Sequence, residues 1–320
     1  MDARRFFRSL LSVLWLRPES AMWYGYMLTL AEKYLGEVES PSLDFGCMDG
    51  VNSFILMGGK FDDQFDVYNE VQWDKDSHKR STLNNDYFDI FNDSESVLIE
   101  RVPTKKFDLG IDWKDSHISK CERLGLYNDL QKIDVESPLF NAPDNYFSSI
   151  WAPNIYWMRN LEPIIAELSR VLSVDGKIVT IGPGPMQTEY MFYKYANPDN
   201  EEWLRNLDRG RYENSKASGK SLEEWTILFE ANGLRIERYE TFIPEIVAKA
   251  YDIGFRPIFP VFMNMYETLK TNSPDDFKEL KKQWIDTVYD LISPLCESNW
   301  MDAKYPHAKN AWFIFELKKK

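Results

Sequence analysis

Short apolar runs alternate with helix-like patterns along most of the chain. The clearest helix is predicted where apolar residues recur on one face of a helix, at Leu161, Ile164, Ile165, Leu168, Val171 and Leu172. Seven short runs have the composition of strands, at 42–46, 107–113, 130–135, 146–154, 177–185, 234–243 and 311–319. Because most strands and helices alternate with short connections, the pattern predicts a parallel sheet with helices on both faces.

The chain has 320 residues, which is long enough for a large α/β domain with additions. We divide it into an N-terminal helical segment, 1–41, and a core domain, 42–320, with insertions at about 60–106 and 244–300. The first insertion is rich in acids and aromatic residues, which predicts an ordered segment with a solvated acidic face. The second insertion is mostly helical in pattern.

The N-terminus combines three arginines with an apolar stretch from Leu10 to Leu16. This stretch is short for a signal peptide and is interrupted by Ser12, so we interpret it as an amphipathic helix that stops before Pro18. Such a helix has three possible roles. It can pack on the body of the protein or on a neighbouring subunit, cover an active site, or rest on a membrane surface.

Composition excludes several classes of function. The formal net charge is −13 and the pI is about 4.9, so a nucleic-acid partner is not expected. Only three cysteines occur, at Cys47, Cys121 and Cys296, and they are far apart along the chain. This pattern argues against a disulfide framework and a zinc site, and it fits a reducing cytoplasm.

Polar residues follow the strands at the positions where ligands bind in open α/β sheets. The first strand ends in Asp44 and a loop with Gly46 and Gly50, and the second ends in Asp112. Asp134 closes the third strand. An acid after the second strand can accept hydrogen bonds from a ribose diol, and one after the third can accept them from an exocyclic amine. Together these groups describe an adenosine pocket.

Three stretches carry a resemblance to a known family: "LDFGCMDG" from 43, "LGIDWKDSHISKCERLGLYNDLQKIDVESPLF" from 109, and "YFSSIWAPNIYWMRNLEPIIAELSRVLSVDGKIVTIGP" from 146. In order and spacing the chain resembles the class I S-adenosylmethionine-dependent methyltransferases of the type 11-like group. With "DIGFRPIFPVF" it also looks similar to members from bacterial polysaccharide and glycolipid pathways. The resemblance implies a doubly wound, mostly parallel seven-stranded sheet of the Rossmann-like methyltransferase fold. It implies S-adenosyl-L-methionine as the cofactor.

The resemblance also implies roles for individual residues. The loop from Gly46 to Gly50, with Cys47, would approach the methionine portion of the cofactor, and Asp44 would help hold its amino group. By the same resemblance, Asp112 would bind the ribose, and Trp113, Asp134 and the Val135 N–H would contact the adenine. Asn154 and Tyr156 would lie near the sulfonium and the acceptor. By the same resemblance, Phe6 to Tyr26 would lie over the acceptor site.

Two features depart from the family pattern. The family loop usually has a glycine at its centre, where this chain has Met48. In βαβ units of this kind, the acid that binds the ribose usually lies about 20 residues after the glycine loop that follows the first strand. Asp112 comes 66 positions after Gly46, whereas Glu70 has the usual spacing. We favour Asp112 because a helix and the third strand follow it in the right order, and Glu70 remains the alternative.

The predicted function is methyl transfer by in-line displacement to a small-molecule or glycan acceptor, without a metal. Positioning supplies much of the acceleration, and a base is needed only where the acceptor loses a proton. Candidate bases are His117, Asp115 and Tyr156. Two other functions remain open. Met48 in place of the usual glycine would fit a non-catalytic binding subunit that kept the fold after losing the cofactor. A nicotinamide-dependent oxidoreductase would need G-x-G-x-x-G, which "GCMDGVNSF" lacks.

Overall fold

The protein is described by a computed structural model over residues 1–69, 71–74, 87–89, 97–133, 141–158, 160–195, 208, 210–255, 258–297 and 309–320. The strands are β1 Ser42–Phe45, β2 Lys60–Phe61, β3 Ile99–Arg101, β4 Phe107–Asp112, β5 Tyr127–Lys132, β6 Phe147–Ala152, β7 Leu172–Pro183, β8 Leu234–Phe242 and β9 Trp312–Lys319. The helices are α1 Arg4–Val13, α2 Pro18–Leu35, α3 Val51–Leu56, α4 Asp115–Glu122, α5 Leu161–Val171, α6 Met186–Tyr190, α7 Arg211–Ser218, α8 Leu222–Ala231, α9 Glu245–Ile253, α10 Phe259–Asn272 and α11 Pro274–Ile292.

Seven strands form one sheet in the order β5-β4-β1-β6-β7-β9-β8. The pairs from β5 to β7 are parallel, and β9 lies antiparallel between β7 and β8. The predicted doubly wound, mostly parallel seven-stranded sheet is therefore confirmed. The order reverses at β1, whose neighbours β4 and β6 both follow it in the chain. This is the point at which open α/β sheets bind ligands.

Two elements differ from their predicted limits. The third core strand begins at Tyr127 instead of residue 130, because β5 is an edge strand whose half-exposed side chains do not mark its ends by hydrophobicity. The strand predicted from residue 177 begins earlier, at Leu172, so that Asp175 and Gly176 lie inside β7. There the register with β6 jumps, from Phe147 opposite Leu172 to Ser149 opposite Lys177, which is a bulge.

Each face of the sheet is covered by helices. On one face, α5 and α8 pack on the strands through buried residues that include Ile164, Leu168 and Trp225. The other face is covered by α1, α2 and α3. Helix α2 is buried almost all round and crosses this face. Near its start Trp23 packs edge-on against Trp312 of β9, with ring centroids 5.1 Å apart. Near its end the Tyr34 ring lies under the guanidinium of Arg238 on β8, at 4.4 Å.

The N-terminal helix α1 packs on the body of the protein. Its apolar side chains are buried, and Phe7 stacks on Tyr289 of α11 with centroids 5.7 Å apart. Arg5 pairs with Glu32 of α2, and Arg8 pairs with Asp286 of α11. Because the apolar side of α1 faces inward, the membrane contact considered for this helix is not supported. Within the part of the chain that the structure describes, no helix has the length and apolarity needed to cross a bilayer.

The two insertions and the N-terminal segment form one layer. Strands β2 and β3 pair antiparallel, so the two ends of the first insertion meet. Next to them, the buried carboxylate of Asp66 accepts a hydrogen bond from the Nζ of Lys281 on α11, at 2.9 Å. The indole N–H of Trp15 donates to the same Asp66 oxygen at 3.3 Å. This acid is thus buried and paired, whereas the sequence had suggested a solvated face. Of the ten other acids in that insertion, five lie outside the described residues, whereas Asp63, Asp74 and Glu100 are exposed as the sequence suggested.

Candidate functional site

The loop between β1 and α3 turns back onto the end of β4. The N–H groups of Gly46 and Cys47 both donate to the Ile111 carbonyl, at 2.8 and 3.0 Å. Gly46 and Gly50 have φ of 73° and 77°, a conformation that favours glycine. A Cβ at Gly46 would lie 3.2 Å from the Cβ of Asn154, and one at Gly50 only 2.7 Å from Leu124. The two glycines are therefore required both by backbone conformation and by space.

Met48 lies between the two glycines and is the second of three left-handed positions in this loop. Its φ is 52°, which costs a side-chain-bearing residue about 1–2 kcal/mol, and the side chain is 36% exposed. The departure noted in the sequence thus falls on a position whose backbone conformation suits glycine. The methionine side chain points away from the packed underside of the loop.

Met48→Gly is expected to leave cofactor affinity unchanged or improved and to raise the free energy of unfolding by up to about 1 kcal/mol, because left-handed strain is released. Met48→Ala is the matched control, since it removes the long side chain but keeps the Cβ and the strain. Denaturant unfolding of the three proteins measures the effect. A clear loss of affinity in folded Met48→Gly, but not in Met48→Ala, would show that this loop must be stiff to bind.

Asp112, at the end of β4, holds the surrounding loops together. Its Oδ2 accepts a hydrogen bond from the Met48 N–H at 3.0 Å. Its Oδ1 accepts from the N–H groups of Trp113 and Lys114, at 2.8 and 3.1 Å, and contacts the Nδ1 of His117 at 2.8 Å. The side chain is 4% exposed. Of its two oxygens, Oδ2 keeps the larger free acceptor capacity.

Asp44 is fully buried one strand away. Its Oδ2 accepts a hydrogen bond from the hydroxyl of Tyr127 at 2.7 Å, while Oδ1 has no hydrogen-bond partner among the described residues. Burial raises the pKa of Asp44 to about 7, against the lowering effect of Ser53 and Tyr127, and the negative charge of Asp112 adds to the rise. A buried carboxylate oxygen without a donor is costly, and it marks a place where a donor from outside the chain would be stabilised.

The three candidate bases lie in different environments. His117 is engaged with Asp112. Asp115 is largely exposed and pairs with Lys132 at 2.7 Å on the outer surface, so the structure does not bring it into the site. Tyr156 lies just after β6, with its ring edge-on to Trp312 at 4.7 Å. Burial raises the pKa of Tyr156 well above its ordinary value, so this hydroxyl stays protonated at neutral pH.

The remaining predicted positions are partly described. Asn154 donates from Nδ2 to the Gly46 carbonyl at 2.7 Å, which ties the end of β6 to the loop. The Trp113 ring is half-buried beside the ammonium of Lys114, at 5.3 Å. Asp134, Val135 and the alternative Glu70 lie outside the described residues. The strand that carries Asp112 does lie next to β1, as the choice of Asp112 over Glu70 required.

Tyr127, which the sequence did not single out, reaches Asp44 from β5 across the intervening strand. Its ring lies over Gly110 of β4, where a Cβ would be 2.7 Å from the tyrosine ring. A glycine inside a strand often marks such a close approach, so Gly110 was the available signal. Cys121 was also missed as a neighbour of the loop, because nothing in the sequence indicates which face of α4 turns inward.

Comparisons with known proteins identify structural similarities. The cyclase SpnF has a TM-score of 0.46 and 14% identity, over 94% of this chain and 82% of that one. An S-adenosylmethionine-dependent methyltransferase from Thiobacillus denitrificans, in complex with S-adenosyl-L-homocysteine, has a TM-score of 0.43 and 12% identity, over 92% and 90%. A putative sarcosine dimethylglycine methyltransferase from Galdieria sulphuraria has 0.44 and 12%, over 93% and 84%.

No protein-family model matches the chain. No curated protein matches it either. At these low identities and TM-scores the similar structures carry no conclusion about what this chain binds. Function is therefore inferred from the loops at the carboxyl ends of β1, β4 and β6.

Proposed function

We propose that this chain binds S-adenosyl-L-methionine at the carboxyl ends of β1 and β4 and transfers its methyl group to a small-molecule or glycan acceptor. The observation that carries the proposal is the buried Asp44 carboxylate, whose Oδ1 finds no donor within the described part of the chain and lies beneath a loop that is pinned to the next strand end. The ammonium group of the cofactor would satisfy such an oxygen, directly or through a water.

The residues that are present fit the cofactor in chemistry. Gly46 and Gly50 let a ligand approach the backbone closely, and a Cβ at either position would meet its neighbours. Asp112 is the group for the ribose hydroxyls, chiefly through Oδ2, because Oδ1 already accepts from two backbone N–H groups and contacts His117. Binding both hydroxyls would require His117 to yield its place on Oδ1. The half-buried Trp113 offers a ring face for the adenine.

The cofactor would supply a methyl group already activated on a sulfonium, so the protein has to bind, orient and exclude water. The groups at the end of β6 are suited to that work. Asn154 is held on the loop, and Tyr156 packs on the buried Trp312. Tyr156 stays protonated and Asp115 lies on the outer surface, so His117, which contacts Asp112 through Nδ1, is the candidate base that remains. Product mass spectrometry after incubation with candidate acceptors identifies the acceptor class.

Asp112→Ala is expected to weaken binding of S-adenosyl-L-homocysteine at least about tenfold, because charge-assisted hydrogen bonds contribute roughly 1.5–3 kcal/mol each before solvent compensation. It also removes the acceptor for the Met48 N–H and so loosens the loop. Calorimetry measures the dissociation constant. Asp115→Ala is the matched control and should be near neutral, since its ion pair with Lys132 lies on the surface. If Glu70→Ala weakens binding and Asp112→Ala does not, the ribose has been assigned to the wrong acid.

A non-catalytic binding protein is the second candidate, favoured by one observation. Four groups of the chain itself already contact the Asp112 carboxylate, so the described residues satisfy this acid without a ligand. Titration of the purified protein with S-adenosyl-L-homocysteine and, separately, with NAD separates the possibilities. Binding heat that is observed with S-adenosyl-L-homocysteine but not with NAD supports the methyltransferase. Heat with NAD alone would favour the oxidoreductase, and no heat with either would favour the non-catalytic protein.

A further inference from the structure

Two cysteines that are 74 residues apart in sequence meet beneath the cofactor loop. The Sγ atoms of Cys47, in the loop, and Cys121, on α4, are 3.7 Å apart. The Cys121 thiol also donates to the Met48 carbonyl at 3.1 Å. Both side chains are buried, and both cysteines are free thiols. The third cysteine, Cys296, is remote from them in the fold, in the turn after α11.

From this geometry we infer that Cys47 and Cys121 form a reversible disulfide that distorts the cofactor loop and weakens binding there. The number and spacing of the cysteines in the sequence argued against a disulfide framework. In the fold, however, the two sulfurs are 3.7 Å apart, so they need to approach by only about 1.7 Å to reach the S–S bond length of about 2.05 Å. The part of the inference that concerns binding rests on the proposed function, whereas the disulfide itself does not.

The reaction needs an oxidant, for which a peroxide suffices. Hydrogen peroxide converts the Cys47 thiol to a sulfenic acid and is itself reduced to water. The Cys121 sulfur then attacks the Cys47 sulfur, the S–S bond forms, and the sulfenic oxygen leaves as a second water. The two sulfurs together lose two electrons and two protons. A low-molecular-weight dithiol reverses the step by thiol–disulfide exchange.

The closed loop slows this chemistry without preventing it. Contact with Cys121 and burial hold the pKa of Cys47 well above its ordinary value, and burial likewise raises the pKa of Cys121. Since the thiolate is the reactive form, oxidation should proceed mainly from conformations in which the loop has opened. A ligand that holds the loop closed should therefore protect the pair.

Oxidation would disturb contacts that shape the site. An S–S bond is much shorter than the present separation, so its formation pulls Cys47 towards α4. The adjacent Gly46 and Met48 carry the contacts to Asn154 and Asp112. Cys121 would lose the proton that it now donates to the Met48 carbonyl. Binding sites tolerate displacements of about 0.5 Å, so this shift should weaken ligand binding.

The test is to treat the full-length protein with hydrogen peroxide and to follow free thiols, intact mass and peptide maps. We expect three free thiols to fall to one, with loss of two hydrogens and a Cys47–Cys121 linked peptide, reversed by dithiothreitol. In the Cys296→Ser protein, the number of free thiols should fall from two to none. Cys121→Ser should not form the link. A thiol count unchanged after peroxide, or a link that involves Cys296, would overturn the inference.

Binding is measured on the same samples. The dissociation constant for S-adenosyl-L-homocysteine should rise at least about tenfold on oxidation and return on reduction, as expected for a displaced site. The Cys121→Ser protein should show no change with peroxide. An oxidised wild-type protein that binds as tightly as the reduced one would overturn the proposed effect on binding. A reduced protein that does not bind at all would contradict the proposed function instead, and the mass data would still decide the disulfide.

Discussion

Removing residues 1–20 is expected to abolish cooperative folding. The sequence suggested that this segment closes over the acceptor, so that its loss would lower methyl transfer and spare cofactor binding. In the structure, α1 is packed between α2 and α11, and Phe7, Leu10 and Leu11 are fully buried. Losing one buried aromatic side chain alone costs about 3–5 kcal/mol. The stability of a whole domain is about 5–15 kcal/mol, so losing the entire helix should exceed it.

Circular dichroism and thermal unfolding of the truncated and full-length proteins measure this effect. Phe7→Ala is a milder version, expected to lower the free energy of unfolding by about 3–5 kcal/mol. Arg8→Ala is the control on the same helix, expected to cost less than about 1 kcal/mol, because its pair with Asp286 is exposed. The truncated protein could instead unfold cooperatively and bind S-adenosyl-L-homocysteine but show no turnover. That result would show that residues 1–20 act as a lid over the acceptor site.

Asp44→Asn is expected to stabilise the protein above pH 7 and to weaken cofactor binding. The carboxyl has a pKa of about 7 in the folded protein, against 3.8 for the ordinary group, so the folded state holds this proton more tightly. The stability from this group is fully present below about pH 4 and is lost as the pH rises through 7. At 1.36 kcal/mol per pKa unit the loss is on the order of 4 kcal/mol at most.

The amide avoids that loss, because it stays neutral and can still accept the hydrogen bond from Tyr127. Unfolding curves at pH 5 and pH 8 should therefore diverge, with the advantage of Asp44→Asn growing towards pH 8. The same substitution should weaken binding of S-adenosyl-L-homocysteine, because the ammonium group of that ligand interacts more favourably with a charged carboxylate than with an amide. If the Asp44→Asn protein is less stable than the wild type at pH 8, the Asp44 carboxylate is stabilised in the folded protein. Tyr127→Phe removes a hydrogen-bond donor to Asp44. In a protein that keeps Asp44, it should lower the free energy of unfolding most at high pH.

Patterns in the sequence predicted the sheet and its faces well where burial is one-sided or complete. The amphipathic helix from Leu161 appears as expected. Strands with buried residues, such as β6 and β9, lie within about a residue or two of their predicted limits. The edge strand β5 was misplaced, because exposed side chains carry little information about register.

The candidate site was predictable only in its outline. Acids and glycines at strand ends indicate where a ligand belongs, because parallel strands bring their carboxyl ends to one edge. The sequence could not show that Asp112 is already bonded by its own loop or that Tyr127 reaches Asp44. Both depend on contacts between segments far apart in the chain. The same holds for α2, whose almost uniform burial leaves no amphipathic pattern to indicate which side it packs on.

The position of β9 has a consequence for the synthesis of this protein. Among the described strands, β8 joins the sheet only through β9, which pairs with β7 on its other side. A chain emerging from the ribosome therefore has no partner for the facing edges of β7 and β8 until residues 312–319 have appeared, after the whole helical insertion. Open edges present unpaired N–H and C=O groups that attract other chains. During that interval the nascent protein is exposed to misassembly, and chaperones that cover strand edges become relevant to its yield.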